Sequence, residues 1–153
     1  MTKTGILLGI ARHARPKGPM EVLDRAFVGL DTGVEGDFRG AIKPGGRGRR
    51  QVTLMTLADW QIATRLVGAA LEWQHRRVNL LVDGLVLPRE EGGLIRIGAR
   101  CTLRITGECD PCRRMNALVD GLELALRPDW RGGRTSKVIA ADEIVVGDAV
   151  VAL

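Results

Sequence analysis

Apolar positions along this chain fall in short runs cut by glycine, not in long stripes. Ile6 to Ile10, Val22 to Val28, Val52 to Met55, Val78 to Val82, Leu94 to Ile97, Cys101 to Thr106, Val138 to Ala140 and Ile144 to Leu153 have the composition and bounding residues of strands. Alternation is clearest where Cys101, Leu103 and Ile105 share one side and Thr102, Arg104 and Thr106 the other. Gly36-Asp37 and Gly147-Asp148 have turn chemistry. One segment carries the helical period: Thr56 is placed to cap it, Asp59 stands three residues on, and Ile62, Ala63, Leu66, Val67 and Ala70 form a stripe. A second helical stretch runs from Met115 to Leu126 and is stopped by Pro128. Many short strands with one or two short helices predict a β-rich α+β fold of barrel-like form.

Length adds that 153 residues make one domain, residues 1–153, large enough to bury a core without metal or disulfide. Hydrophobic residues at 45% and charged residues at 27% exclude a disordered chain, and aromatics at 3% leave the core to Leu, Val, Ile and Ala. No apolar run reaches the length of a membrane span. Three cysteines are odd in number and too few for a disulfide framework, which places the protein in a reducing cytoplasm. The N-terminal apolar stretch reads as a first strand, with a signal peptide as the weaker reading.

Charge is uneven within a formal net of +5. No acid occurs between Asp37 and Asp59, where Arg39, Lys43, Arg47, Arg49 and Arg50 fall, and smaller clusters sit at His75-Arg76-Arg77, Arg113-Arg114 and Arg131, Arg134 and Lys137. Such a field attracts an anion: nucleic acid, an acidic partner or a phosphorylated small molecule. The scarcity of aromatics for base stacking disfavours nucleic acid.

Cysteine is the other source of chemistry. Cys101 shares parity with Leu103 and Ile105 and reads as core. Cys109 and Cys112 form a C-x-x-C pair that admits half a zinc site, a dithiol couple, or one reactive thiol with a bystander. A second ligand pair is missing, because His13 and His75 are far apart, so zinc is not expected. Cys112 follows Pro111 and precedes Arg113 and Arg114, a basic setting that suits a reactive thiol, while a structural loop cysteine stays open. The glycine-rich segments Gly40 to Gln51 and Gly132 to Lys137 combine close backbone approach with cationic donors, which is anion-binding chemistry without being a P-loop.

Taken in order, Gly33-Val34-Glu35-Gly36-Asp37, Arg50-Gln51-Val52-Thr53-Leu54, Arg76-Arg77-Val78-Asn79-Leu80, Ile97-Gly98-Ala99, Asp110-Pro111-Cys112-x-x-Met115, Arg131-Gly132-Gly133 and Ile144-x-x-Gly147-Asp148 resemble MOSC domains, named for the C-terminal domain of molybdenum-cofactor sulfurases. The resemblance covers nearly the whole chain. It implies a MOSC-like β-barrel, a signature cysteine at Cys112, and binding of the molybdenum cofactor through its anionic molybdopterin. In such proteins the cysteine either carries sulfur as a persulfide or ligates molybdenum in the reduction of N-hydroxylated compounds. On that basis Cys112 is the candidate catalytic residue and molybdenum ligand. Lys43, Arg49, Arg50, Arg77 and Lys137 are candidate phosphate or pterin contacts, with Asn79, Thr135 and Ser136 as hydrogen-bonding partners. Relatives often place a histidine soon after the Gly-Asp pair, where this chain has Phe38-Arg39-Gly40. The chain has no room for a pyridoxal-phosphate desulfurase domain and lacks four cysteines for an iron–sulfur cluster. A separate electron donor or cysteine desulfurase is therefore the expected partner. The competing expectation is a non-enzymatic molybdopterin carrier or partner-binding module.

Overall fold

Seven strands close on themselves in the computed structural model, which describes residues 4–153. The chain forms β1 (Thr4–Arg12), β2 (Glu21–Leu23), β3 (Arg25–Gly29), β4 (Gly33–Val34), β5 (Val52–Thr56), β6 (Leu80–Asp83), β7 (Leu94–Ile97), β8 (Cys101–Glu108), β9 (Arg134–Ala140), β10 (Asp142–Val145) and β11 (Ala149–Ala152). Around the barrel the order is β1-β11-β7-β8-β9-β5-β6, returning to β1, with β2 paired to the far end of β1. The seam sets Thr4 opposite Val151 and Ile6 opposite Ala149. Only β5 and β6 run parallel in the barrel, and their connection is the long one, through helix α1 (Leu57–Leu66), as a parallel crossover requires. A separate three-stranded sheet, β10-β3-β4, completes the fold.

Two of the expected strands are divided. Val22 to Val28 breaks at Asp24, so that β2 joins the barrel and β3 the smaller sheet. Ile144 to Leu153 is cut at Gly147-Asp148, where the Asp148 carboxylate accepts from the Val145 amide at 2.9 Å. β9 starts at Arg134 rather than Val138, which takes the end of the second glycine-rich segment into the sheet.

The period of two sorts side chains between two cores. Val52 and Leu54 of β5, Leu80 and Val82 of β6, and Cys101, Leu103 and Ile105 of β8 fill the barrel. Met55 and Leu81 point the other way and pack with Trp60, Ala63, Cys109, Met115, Leu122 and Leu126 under the helices. Thr56 caps α1, its Oγ1 accepting from the Asp59 amide at 3.1 Å. The buried face of α1 is Trp60, Ala63 and Thr64, whereas Ile62, Leu66 and Ala70 of the expected stripe are exposed. The indole of Trp60, whose N–H donates to the Leu71 carbonyl at 2.9 Å, is the bulky group facing the sheet and turns the helix onto that side. The second helical stretch is two pieces, α2 (Arg114–Leu118) and α3 (Leu122–Ala125), separated at Gly121 with a φ of 89°. Among the described residues no helix is long and apolar enough to cross a membrane.

Candidate functional site

A cavity of about 450 Å³, a size suited to a small-molecule ligand, opens beside the chain segment that carries the cysteine pair. Its wall is assembled from six places: the loop after β1, the loop after β4, the start of β5, the segment leading into β6, the turn after β8, and the first turn of α2. Arg39, Arg50, Arg76, Arg77 and Arg114 line it with Lys17, against only two carboxylates, Asp37 and Asp110. Cys112 is exposed and lines the same space, while Cys109 lines it from a buried position.

The arginines divide into two kinds. Arg76 is 5% exposed and committed to the scaffold: its Nε donates to the Gly132 carbonyl at 3.0 Å and its Nη2 to the Cys109 carbonyl at 2.8 Å. Arg50 is exposed, and its Nη2 lies 3.6 Å from the Cys109 sulfur, the same distance at which Arg76 Nη2 approaches that atom. Arg77 donates to the Gly18 carbonyl at 2.8 Å. Burial pushes its ionisation down from the ordinary arginine range, and the guanidiniums of Arg114 and Arg39 push it the same way. An anion among these three relieves that repulsion. Arg77 and Lys17 both hold left-handed backbone, with φ of 69° and 57°, so the cavity wall stores strain at two non-glycine positions.

His13 enters the cavity from the loop after β1. Its backbone N–H donates to Asp37 Oδ1 at 3.0 Å, and its ring Nδ1 lies 3.3 Å from the same oxygen without a hydrogen bond. The ring is tilted against Phe38, with centroids 6.3 Å apart. Burial lowers the His13 titration from its ordinary value; Asp37 opposes this, and Arg77, Arg39 and Arg114 reinforce it. Nothing in the charge pattern singled out His13, and the pairing with Asp37 across 24 positions is visible only in three dimensions.

Of the residues named from the sequence, Cys112, Arg50, Arg77 and Asn79 line the cavity. Asn79 is already engaged: its Oδ1 accepts from the Thr53 amide at 3.0 Å and its Nδ2 donates to the Ala11 carbonyl at 3.1 Å, tying β5, β6 and β1 together. Lys43, Arg49, Thr135, Ser136 and Lys137 lie outside the lining. Arg49 donates to the Thr106 carbonyl at 3.1 Å. Ser136 donates to the Val52 carbonyl at 2.7 Å, and the Thr135 hydroxyl is 2.7 Å from that of Thr106. Lys137 is in β9, opposite Arg104. Gly132 and Gly133 serve packing instead of ligand approach, since a Cβ on them would sit 2.7 Å from the Cys109 carbonyl and 2.6 Å from that of Leu54. Cys101 lies in the barrel core, where burial pushes its thiol up to about 12, an inert setting.

A closed seven-stranded β-barrel with a cationic, cysteine-bearing cavity is the class that fold and site define. The model of the MOSC domain family matches residues 36–151, and the chain belongs to that family. Among solved structures, the YuaD protein from Bacillus subtilis superposes with a TM-score of 0.80 at 18% identity, over 96% of this chain and 94% of that one. YiiM from Escherichia coli gives a TM-score of 0.69 at 14% identity, over 97% and 69% of the two chains. YiiM from Geobacillus stearothermophilus gives 0.64 at 14% identity, over 97% and 73%. At these identities the likeness is one of fold. No curated protein matches the chain in sequence.

Proposed function

We propose that the cavity holds the molybdenum cofactor by its anionic molybdopterin and that Cys112 is the working thiol. The carrying observation is that the one exposed cysteine of the chain lines a cavity with five arginines. The residues present suit the group. Arg39, Arg50, Arg77 and Arg114 offer charge-assisted donors to a phosphate, as guanidiniums do to oxyanions. A cysteine sulfur is a soft ligand of the kind molybdenum accepts. When bound, the metal supplies two-electron redox chemistry. The protein's part is to neutralise the phosphate, to present the Cys112 sulfur from the cavity mouth, and to fix the wall through Arg76 and Asn79.

Two uses of Cys112 follow. As a metal ligand it serves an oxidoreductase acting on N-hydroxylated compounds, fed by a separate electron donor. As a persulfide carrier it takes sulfur from a separate cysteine desulfurase, and its exposure, which lets a partner protein reach it, supports this second use. Expression in a cofactor-producing host, followed by metal analysis and assay of sulfane sulfur, tests the proposal. Molybdenum with pterin in the purified protein, lost in Cys112→Ser, supports the ligand role. Metal-free protein with sulfane sulfur on Cys112 supports the carrier. Protein that holds neither overturns the proposal.

A further inference from the structure

The His13–Asp37 pair takes no part in the function proposed above, yet it carries the most unusual polar group in the cavity. His13 is 6% exposed, and its Nδ1 is buried without a hydrogen-bond partner. The nearest carboxylate oxygen, Asp37 Oδ1, is 3.3 Å away and itself buried. A buried polar atom without a partner is costly, so this ring is held for something beyond packing. With Nδ1 buried 3.3 Å from Asp37 Oδ1, Nε2 is the ring nitrogen left for whatever fills the cavity.

We propose that His13 is the cavity's proton-accepting residue: the Asp37 carboxylate, 3.3 Å from Nδ1, favours the Nδ1–H tautomer by its charge, and Nε2 takes up a solvent proton when an oxyanion enters beside Arg39, Arg77 and Arg114. A carboxylate beside Nδ1 favours the proton on that nitrogen and leaves Nε2 with its lone pair toward the ligand. The charged groups facing the ring are Asp37 and Arg39 from the loop after β4, Arg77 from the segment before β6, and Arg114 from α2. In the free protein, burial and three guanidiniums favour the neutral ring, with Asp37 the single opposing charge. An incoming anion offsets those guanidiniums and adds an acceptor for Nε2–H. One proton moves from solvent to Nε2 per anion bound, and no electron is transferred. By linkage, an anion that favours the protonated ring is itself bound more tightly as pH falls.

The inference rests on the cavity being an anion site, and the test separates the two. Sulfate is the probe, because its charge is constant across the range of histidine titration. His75 is exposed, so His75→Gln leaves His13 as the one remaining imidazole, readable by ring nitrogen NMR. The expected spectrum shows a protonated Nδ1 and a bare Nε2 near neutral pH, and Asp37→Asn shifts that balance. Saturating sulfate raises the His13 midpoint, and sulfate binding tightens by about tenfold for each unit of that rise as pH is lowered. His13→Gln retains sulfate binding but loses its pH dependence. If sulfate binds and the His13 midpoint does not move, the proton-accepting role is wrong while the anion site stands. If sulfate binds at no pH, both fall.

Discussion

Arg50 and Arg76 both line the cavity, and the proposed function gives the exposed Arg50 and the scaffold-bound Arg76 different jobs that one pair of substitutions separates. Arg76→Met keeps most of the side-chain stem but removes the two donors that reach the Gly132 and Cys109 carbonyls. Each charge-assisted bond is worth about 1.5–3 kcal/mol, and both acceptors are left in a buried region, so the expected loss is roughly 3–5 kcal/mol. In a chain of this length that lowers the melting temperature by about 10 °C. Arg50→Ala removes an exposed guanidinium whose protein contact is the Cys109 sulfur at 3.6 Å. Its effect on stability stays within about 0.5 kcal/mol, as for most surface changes. Losing one charge-assisted bond to the ligand weakens anion binding roughly ten- to a hundredfold. Urea unfolding measures the first quantity and sulfate titration the second. The assignment is refuted if Arg76→Met is as stable as the parent, or if Arg50→Ala binds sulfate with parental affinity.

Three further outcomes are expected. Iodoacetamide at near-neutral pH labels Cys112 first, because Cys101 and Cys109 are buried; mass-spectrometric mapping that found Cys101 ahead would contradict the assignment. The Cys101 thiol, pushed up to about 12, contributes stability that is complete below its unfolded titration range and is lost as pH rises toward 12, at about 1.4 kcal/mol per unit; unfolding between pH 9 and 11 shows that slope, and Cys101→Ala removes it. Lys137→Ala leaves sulfate affinity unchanged, since Lys137 is not part of the lining, and a tenfold loss in titration would place the site elsewhere.

Local chemistry carried most of what the sequence made legible. Cys101, Leu103 and Ile105 announce β8 because one face of a strand is enough to produce alternation. Thr56 and Asp59 announce the start of α1 because a cap is a contact between near neighbours. The candidate site was read from residue types, and residue type does not say which way a side chain is used. Arg50 and Cys112 reach the cavity, whereas Ser136 and Thr135, equally plausible as ligand donors, spend their hydroxyls on Val52 and Thr106 within the sheet. Gly132 and Gly133 looked like an anion loop because the same lack of a side chain serves close packing. His13 was hidden for the opposite reason: its partner Asp37 comes from another loop, and only the fold brings them together.

The seam between β1 and β11 has a consequence for how the molecule is made. Ile6 waits for Ala149, so the barrel cannot shut until residue 149 has left the ribosome. Until then the inner faces of β5, β6 and β8 are exposed, and their apolar side chains are open to wrong pairings. Pairings so distant in sequence make slow folding the natural behaviour of this topology. Joining Ala152 to Thr4 through a short linker, with new ends opened in the exposed Gly45 turn, would turn that late pairing into a local one and speed refolding without touching the cavity.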